Sequence, residues 1–169
     1  MNTNPLMTER RQMRNPAYSA FLAWQMAYGF EETKQPASFI PVGLVFAGVP
    51  LLMNGLIRGV AASTQLRSGI EGFVRKLNES APDLRGSFLS QMQDTRELCR
   101  QGLATGCRCG LLSIESGKLI ALGKTSLTAK DQRILGGTIA KDARAARKLG
   151  SWFATVGPRD LELLLNMEF

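Results

Sequence analysis

Apolar residues recur every three or four positions along most of the chain, a spacing that places them on one face of an α-helix. Asn15 is a favourable N-cap and Pro16 suits the first helical position, so we expect a first helix that starts here and ends at Gly29. Its apolar positions are Phe21, Leu22, Trp24, Ala27 and Tyr28. The polar residues 1–14 before it predict a flexible arm.

An uncharged segment, Gln35–Ile57, follows and is about as long as a membrane-spanning helix. Its interior prolines Pro41 and Pro50 would leave backbone groups unpaired in lipid. We therefore favour a buried core helix from about Val42 to Leu52 and expect no contact with a membrane. A small membrane protein built around this segment is the alternative.

Two further amphipathic helices are expected in the middle of the chain. Ser63 or Thr64 caps the first of them, whose apolar positions are Leu66, Ile70, Phe73, Val74 and Leu77. The second runs from about Asp83 to Leu103. The core positions of this second helix are Leu84, Phe88, Met92, Leu98 and Leu103, and the glycines at its end are Gly102 and Gly106.

The pattern then changes to two short apolar runs, Cys109–Ile114 and Lys118–Leu122, joined by a glycine-containing turn. This arrangement predicts a β-hairpin over about residues 109–122. Helices followed by one hairpin are the order of winged-helix domains. The expected fold is therefore mainly α with one small β-hairpin, a single winged-helix-like helical domain over residues 15–169.

A long last helix is expected over about residues 131–156. Its apolar stripe consists of Leu135, Ile139, Ala143, Ala146, Leu149, Phe153 and Val156. Gly157-Pro158 ends this helix, and a short terminal helix is expected over Arg159–Leu165.

This 169-residue chain has no histidine and three cysteines, and this composition excludes several kinds of catalytic and metal site. Without histidine there is no Ser-His or Cys-His nucleophile pair, and no common neutral metal ligand. Cys107 and Cys109 would supply only half of a zinc site, so we favour small buried side chains at the entry to a strand over a metal site. We expect a non-enzymatic protein of the reducing cytoplasm with no cofactor.

Positive charge is concentrated near the end of the chain. Six of the seven net charges lie between Lys118 and Lys148, where only Asp131 and Asp142 oppose the basic residues. The candidates for contact with DNA are Lys118, Lys124, Lys130, Arg133, Lys141, Arg144, Arg147 and Lys148. They indicate a face that binds phosphates, and the alternative is a solvated face or one that meets an acidic protein. Aromatic residues are scarce here, which argues against stacking on single strands.

Motifs for nucleotide binding and for metal-dependent catalysis are missing from the sequence. There is no glycine-rich phosphate loop with its lysine, and Gly136-Gly137 lacks both the lysine and a preceding strand. No paired carboxylates suit a two-metal nuclease. The sequence therefore offers no set of residues with named catalytic roles.

Five short blocks in a fixed order resemble the middle component of prokaryotic three-component ABC systems. The blocks are Arg14-Asn15-Pro16-Ala17-Tyr18, Leu44–Leu52 with Pro50 before Leu51-Leu52, Ser63-Thr64-Gln65-Leu66, Lys148-Leu149-Gly150-Ser151-Trp152-Phe153, and Leu161–Leu165. Together they cover nearly the whole chain from Asn15. Leu164-Leu165-Asn166-Met167 stands where the typical branch has a Leu-Leu-Gly-like ending.

The resemblance implies a small non-enzymatic subunit of an SMC-like ABC ATPase complex, as in Lamassu-type antiphage defence. Such a subunit would bridge the ATPase to an effector, often a nuclease, and contact double-stranded DNA through the complex. The residues expected to dock on these partners are Asn15, Pro16, Tyr18, Trp24, Trp152 and Phe153. A stand-alone winged-helix DNA-binding protein is the alternative that the basic residues and the hairpin suggest.

Overall fold

The computed structural model of the chain describes residues 15–34, 38–82, 88–123 and 129–165. For Phe88 and residues 129–136 it describes the backbone alone. The predicted N-terminal arm, Leu84 and Lys124 lie outside the described residues.

The described residues form seven α-helices and one small sheet. The helices are α1 Pro16–Thr33, α2 Val42–Met53, α3 Gly55–Ser63, α4 Gly69–Ser80, α5 Phe88–Arg108, α6 Ala129–Thr155 and α7 Pro158–Leu165. The strands are β1 Ile40–Pro41, β2 Leu112–Glu115 and β3 Lys118–Ala121. This confirms the mainly α fold with a small hairpin and a long helix near the end. The winged-helix likeness stays a prediction.

The first helix begins as predicted but continues beyond Gly29 to Thr33. At its start, Asn15 Oδ1 accepts a hydrogen bond of 2.9 Å from the backbone N–H of Ala17. The predicted end at Gly29 is wrong, because the helix continues through this glycine at the point where α1 crosses α6. A Cβ atom at Gly29 would collide with the backbone of Arg147 in α6.

The uncharged segment forms the buried helix that the sequence predicts, α2, followed at once by α3. Asn54 separates them, and its Oδ1 accepts hydrogen bonds from the N–H groups of Leu56 and Ile57. By itself, no helix in the described ranges has the length and apolar character to cross a membrane. Helices α2 and α3 reach that length and composition only as a pair, bent by 99°.

The two middle helices have different bounds from those predicted. Residues just after Thr64 form a short 3₁₀ turn, Leu66–Ser68, and α4 starts at Gly69, whose φ is +64°. Leu66 therefore lies outside the core, with 53% of its surface exposed. Helix α5 runs on to Arg108, because its two interior glycines let Ser19 and Leu112 pack closely against it rather than end it.

The predicted hairpin is confirmed, and it is part of a three-stranded antiparallel sheet of order β1-β3-β2. Ile114 of β2 and Ile40 of β1 both stand opposite Leu119 of β3. The tight turn uses Ser116 and Gly117, both with positive φ. Strand β1 has only two residues, which is too short to give an alternating pattern in the sequence.

Helix α1 is the central element of the core and packs chiefly on α6 and α5. The sheet is tied to it by Trp24, whose indole N–H donates to the carbonyl of Leu122 at 3.1 Å. On the other side, the ring of Phe73 in α4 stacks on Trp152 of α6, with 5.4 Å between ring centroids. These contacts hold α6 between α1 and α4.

Candidate interaction surfaces

A buried ion pair fixes the position of α6. Asp142 accepts hydrogen bonds of 2.7 Å from the Tyr18 hydroxyl and from Arg58 Nε. Arg58 also donates to the carbonyl of Leu52 at 2.8 Å. The negative charge of Asp142 is therefore balanced inside the protein, although its position lies within the basic part of the sequence.

Three of the basic residues selected from the sequence are exposed to solvent: Lys118 in β3, and Lys141 and Arg144 in α6. Lys130 and Arg133 lie in α6, but their side chains are outside the described set. Lys141 and Arg144 are three residues apart and so lie on one side of the helix.

Arg147 is held by residues near the end of α1. Its guanidinium forms a 2.7 Å ion pair with Glu32 and lies 4.3 Å from the centre of the Tyr28 ring. Partial burial opposes the charged form of Glu32, but hydrogen bonds from Arg147 and Tyr28 outweigh this effect and lower the pKa of Glu32. Arg147 therefore joins α6 to α1 in addition to any role at the surface.

Lys148 is partly buried and joins α6 to the end of α3. Its Nζ donates 2.7 Å hydrogen bonds to the carbonyls of Ala62 and Thr64. Burial, together with repulsion from Arg144 and Lys76, lowers the pKa of Lys148. Two hydrogen bonds thus hold the ammonium in place, and the positive charges of Arg144 and Lys76 act on it.

Most of the residues selected for docking are in the core of this chain. The side chains of Tyr18, Trp24, Trp152 and Phe153 are each at most 8% exposed, so in this structure a partner does not reach them. Aromatic residues at helical spacing bury large apolar areas, which explains why they line the core instead. Asn15 is exposed and Pro16 half-buried, and both form the start of α1.

Other apolar side chains are exposed instead. The exposed large ones are Leu56, Leu66, Leu89, Ile114, Leu122 and Leu163. Leu163 of α7 is 73% exposed and borders a cleft of about 470 Å³ between α4, α6 and α7. Val156 and Leu164 line this cleft, and Glu71 and Asp160 place two carboxylates in it. We call it the α7 cleft.

In the part of the chain that the structure describes, no three or more His, Cys, Asp or Glu side chains are grouped so that they could hold a metal ion. Cys107 is half-buried and Cys109 is exposed, while burial raises the pKa of Cys99 to about 12. The thiol of Cys99 is therefore protonated at neutral pH and acts as a small core residue.

The chain matches the family described as ABC-three component (ABC-3C) system middle component 3 over residues 3–162. This match spans nearly the whole sequence. The chain is a middle component of an ABC-three component system. No curated protein and no solved structure matches it.

For this middle component, sequence patterns found the exposed Lys141 and Arg144 but missed Lys76 and the α7 cleft. Lys76 lies on the solvent face of α4 and far in sequence from the other basic residues, so charge clustering along the chain does not reveal it. Leu163 belongs to a short terminal helix whose pattern predicts a helix but not which of its leucines stays exposed.

Proposed function

We propose that this middle component is a non-catalytic adaptor subunit in a Lamassu-type antiphage defence complex of the cytoplasm. It bridges an SMC-like ABC ATPase to an effector nuclease. The observation that carries the proposal is the family match over residues 3–162. The order of sequence blocks along the chain supports the more specific assignment to an SMC-like complex.

The α7 cleft supports a protein-binding role. Leu163 is 73% exposed beside this cleft, and covering it with a partner would favour binding by about 25 cal/mol for each Å² of apolar surface removed from water. Glu71 and Asp160 favour a partner segment whose apolar side chains are flanked by Lys or Arg. We therefore assign the α7 cleft to contact with one of the other two components.

Co-purification of the three components tests the adaptor role. With a tag on the ATPase, we expect this subunit to be recovered with the ATPase and the effector. Leu163→Asp should reduce its recovery at least about fivefold. The variant loses the apolar contact with the partner, and binding would also have to bury an unpaired carboxylate. The matched control is Leu89→Asp in α5, a leucine that is 50% exposed and does not line the α7 cleft.

The adaptor proposal fails if the wild-type subunit elutes alone when all three components are co-expressed. If the complex forms but Leu163→Asp and Leu89→Asp behave alike, the assignment of the α7 cleft is wrong and the adaptor role is retained.

Contact with double-stranded DNA is a second proposed function of the same subunit, and it is favoured by the exposed Lys141 and Arg144. The described ion pairs of α6 use Arg147 and Asp142 and leave these two cations open to an external anion. Such contacts bind DNA with little sequence preference and weaken steeply as salt is raised. A stand-alone DNA-binding protein would use the same residues without the two partners.

Charge reversal of Lys141 tests the contact with DNA. Lys141→Glu should weaken binding of a double-stranded oligonucleotide about fivefold and lower the slope of log affinity against log salt by about 1. Fluorescence anisotropy at several salt concentrations measures both quantities. Arg96→Glu, an equal change of charge at an exposed position of α5, is the control. Equal affinity of the two variants would contradict a DNA contact at Lys141.

A further inference from the structure

Lys76 lies far from the basic region in sequence, but the packing of α4 on α6 brings it close. The rings of Phe73 and Trp152 stack at 5.4 Å between centroids. Earlier in α4, Glu71 lines the same cleft as Thr155, which lies later in α6. Early residues of α4 therefore lie beside late residues of α6, so the two helices run antiparallel.

This antiparallel register places Lys76 beside Lys148. Lys76 is about 4.5 Å further along α4 than Phe73, and Lys148 is about 6 Å further back along α6 than Trp152. Side chains three or four residues apart share a helix face, so both lysines stay near the face where the rings stack. The pKa of Lys148 is lowered chiefly by burial, then by Arg144 and then by Lys76. The contribution of Lys76 agrees with this placement.

The ammonium of Lys148 is held in place before any ligand arrives. Its two hydrogen bonds to the carbonyls of Ala62 and Thr64 fix Nζ at the end of α3. An ammonium has three N–H donors, so these bonds account for two of them. A fixed charge loses less side-chain entropy when it binds an anion than a free surface lysine does.

Anionic side chains of the described residues do not neutralise this group. The described ion pairs that involve α6 join Arg58 to Asp142 and Arg147 to Glu32. Lys76 and Arg144 are exposed and take part in neither pair. We call the surface that carries Lys76 of α4 and Arg144 and Lys148 of α6 the α4–α6 edge. An external anion bound there would relieve the mutual repulsion of these three cations.

The geometry points to a phosphate-binding site formed by Lys76, Arg144 and Lys148, which holds the sugar–phosphate backbone of double-stranded DNA. This inference rests on the DNA contact proposed above at Lys141 and Arg144, and extends it along α6 to Lys148. It also adds Lys76, from a different helix, to the residues that contact DNA.

A polyanion fits this site better than a single carboxylate does. From Lys141 through Arg144 to Lys148, the basic side chains extend roughly 10 Å along α6. That length corresponds to about three nucleotides of one DNA strand at a rise of about 3.4 Å. Among the described residues, neither α4 nor α6 has an exposed aromatic side chain, so the site does not favour stacking on unpaired bases.

The test compares full-length variants with one charge reversal each: Lys76→Glu, Arg144→Glu and the control Arg96→Glu. Binding to a double-stranded oligonucleotide is measured by fluorescence anisotropy between low and moderate salt. Lys76→Glu and Arg144→Glu should each weaken binding about five- to tenfold and lower the salt slope by about 1. Arg96→Glu should weaken it less than about twofold, and Lys76→Arg should keep wild-type affinity. Circular dichroism and urea midpoints verify that every variant is folded.

Other results overturn the proposed site in distinguishable ways. If Lys76→Glu matches Arg96→Glu while Lys141→Glu and Arg144→Glu weaken binding, the site at Lys76 fails but the DNA contact remains. If the wild-type chain does not bind DNA, or no variant differs from it, both proposals fail. If Lys76→Glu leaves DNA affinity unchanged but releases the ATPase on co-purification, the α4–α6 edge binds an acidic protein surface instead.

Discussion

Gly29 in α1 and Gly150 in α6 stand where these two helices come closest. A Cβ atom at Gly29 would collide with the carbonyl group of Arg147, and one at Gly150 would collide with that of Met26. The Ser151 hydroxyl adds a 3.0 Å hydrogen bond to the carbonyl of Gly29. The backbones can therefore approach only because neither position carries a side chain.

Gly150→Ala should destabilise the protein by about 2 kcal/mol or more, because the added methyl group has backbone rather than a flexible side chain in its way. Gly137→Ala is the matched control. Position 137 lies in the same helix with open space around it, so alanine there should be neutral or stabilise by up to about 1 kcal/mol. Urea unfolding measures both changes, and a Gly150→Ala variant as stable as wild type would contradict the close crossing.

At the scale of elements, the small sheet depends on a carboxylate from a helix. Strand β1 pairs with β3 only at Leu119 and Lys118, which leaves the N–H of Ala121 beyond its reach. Glu31 of α1 accepts a 2.9 Å hydrogen bond from this N–H. Burial raises the pKa of Glu31, although the same hydrogen bond acts in the opposite direction. The folded state therefore disfavours the charged form of Glu31.

This raised pKa gives a pH-dependent prediction for Glu31→Gln. At pH 7 the cost of the buried charge is fully present in wild type, and it is relieved as pH falls through the raised pKa toward the ordinary value of 4.5. Glutamine keeps an acceptor oxygen for Ala121 without the charge. The variant should therefore be more stable than wild type at pH 7, and this advantage should shrink by pH 4.5.

Urea denaturation at the two pH values measures the difference. Glu115→Gln, at the exposed end of β2, removes one negative charge without a buried bond to the sheet edge and is the control. An advantage of Glu31→Gln that stays constant with pH, or that equals the effect of Glu115→Gln, would show that burial of the Glu31 carboxylate is not its cause.

At the scale of the whole molecule, distant parts of the chain meet around α6. Tyr18, Arg58 and Asp142 come from α1, α3 and α6 and form one buried polar group. The same helix carries Arg144 on its exposed side and borders the α7 cleft at Thr155. If both proposals hold, α6 joins the surface that meets a partner subunit to the surface that meets DNA.

Local patterns in the sequence predicted much of this fold. The N-cap at Asn15, the buried helix α2, the hairpin and the long α6 follow from side-chain spacing and turn chemistry, which act over a few residues. The predicted ends of α1 and α5 are wrong because Gly29, Gly102 and Gly106 lie inside these helices. They instead allow contact with α6, α1 and β2, which no local pattern contains.

By itself the sequence determined the helical architecture, the family and the net positive charge. These properties depend on composition, on periodicity and on the order of short blocks. The tertiary structure decided which charges and apolar side chains face solvent. It withdrew Trp24 and Trp152 into the core, used Asp142 to bind Arg58, and packed the helix that carries Lys76 against the helix that carries Lys148. Exposure and proximity between distant residues arise from the packing of helices against one another, so they exist only in the folded chain.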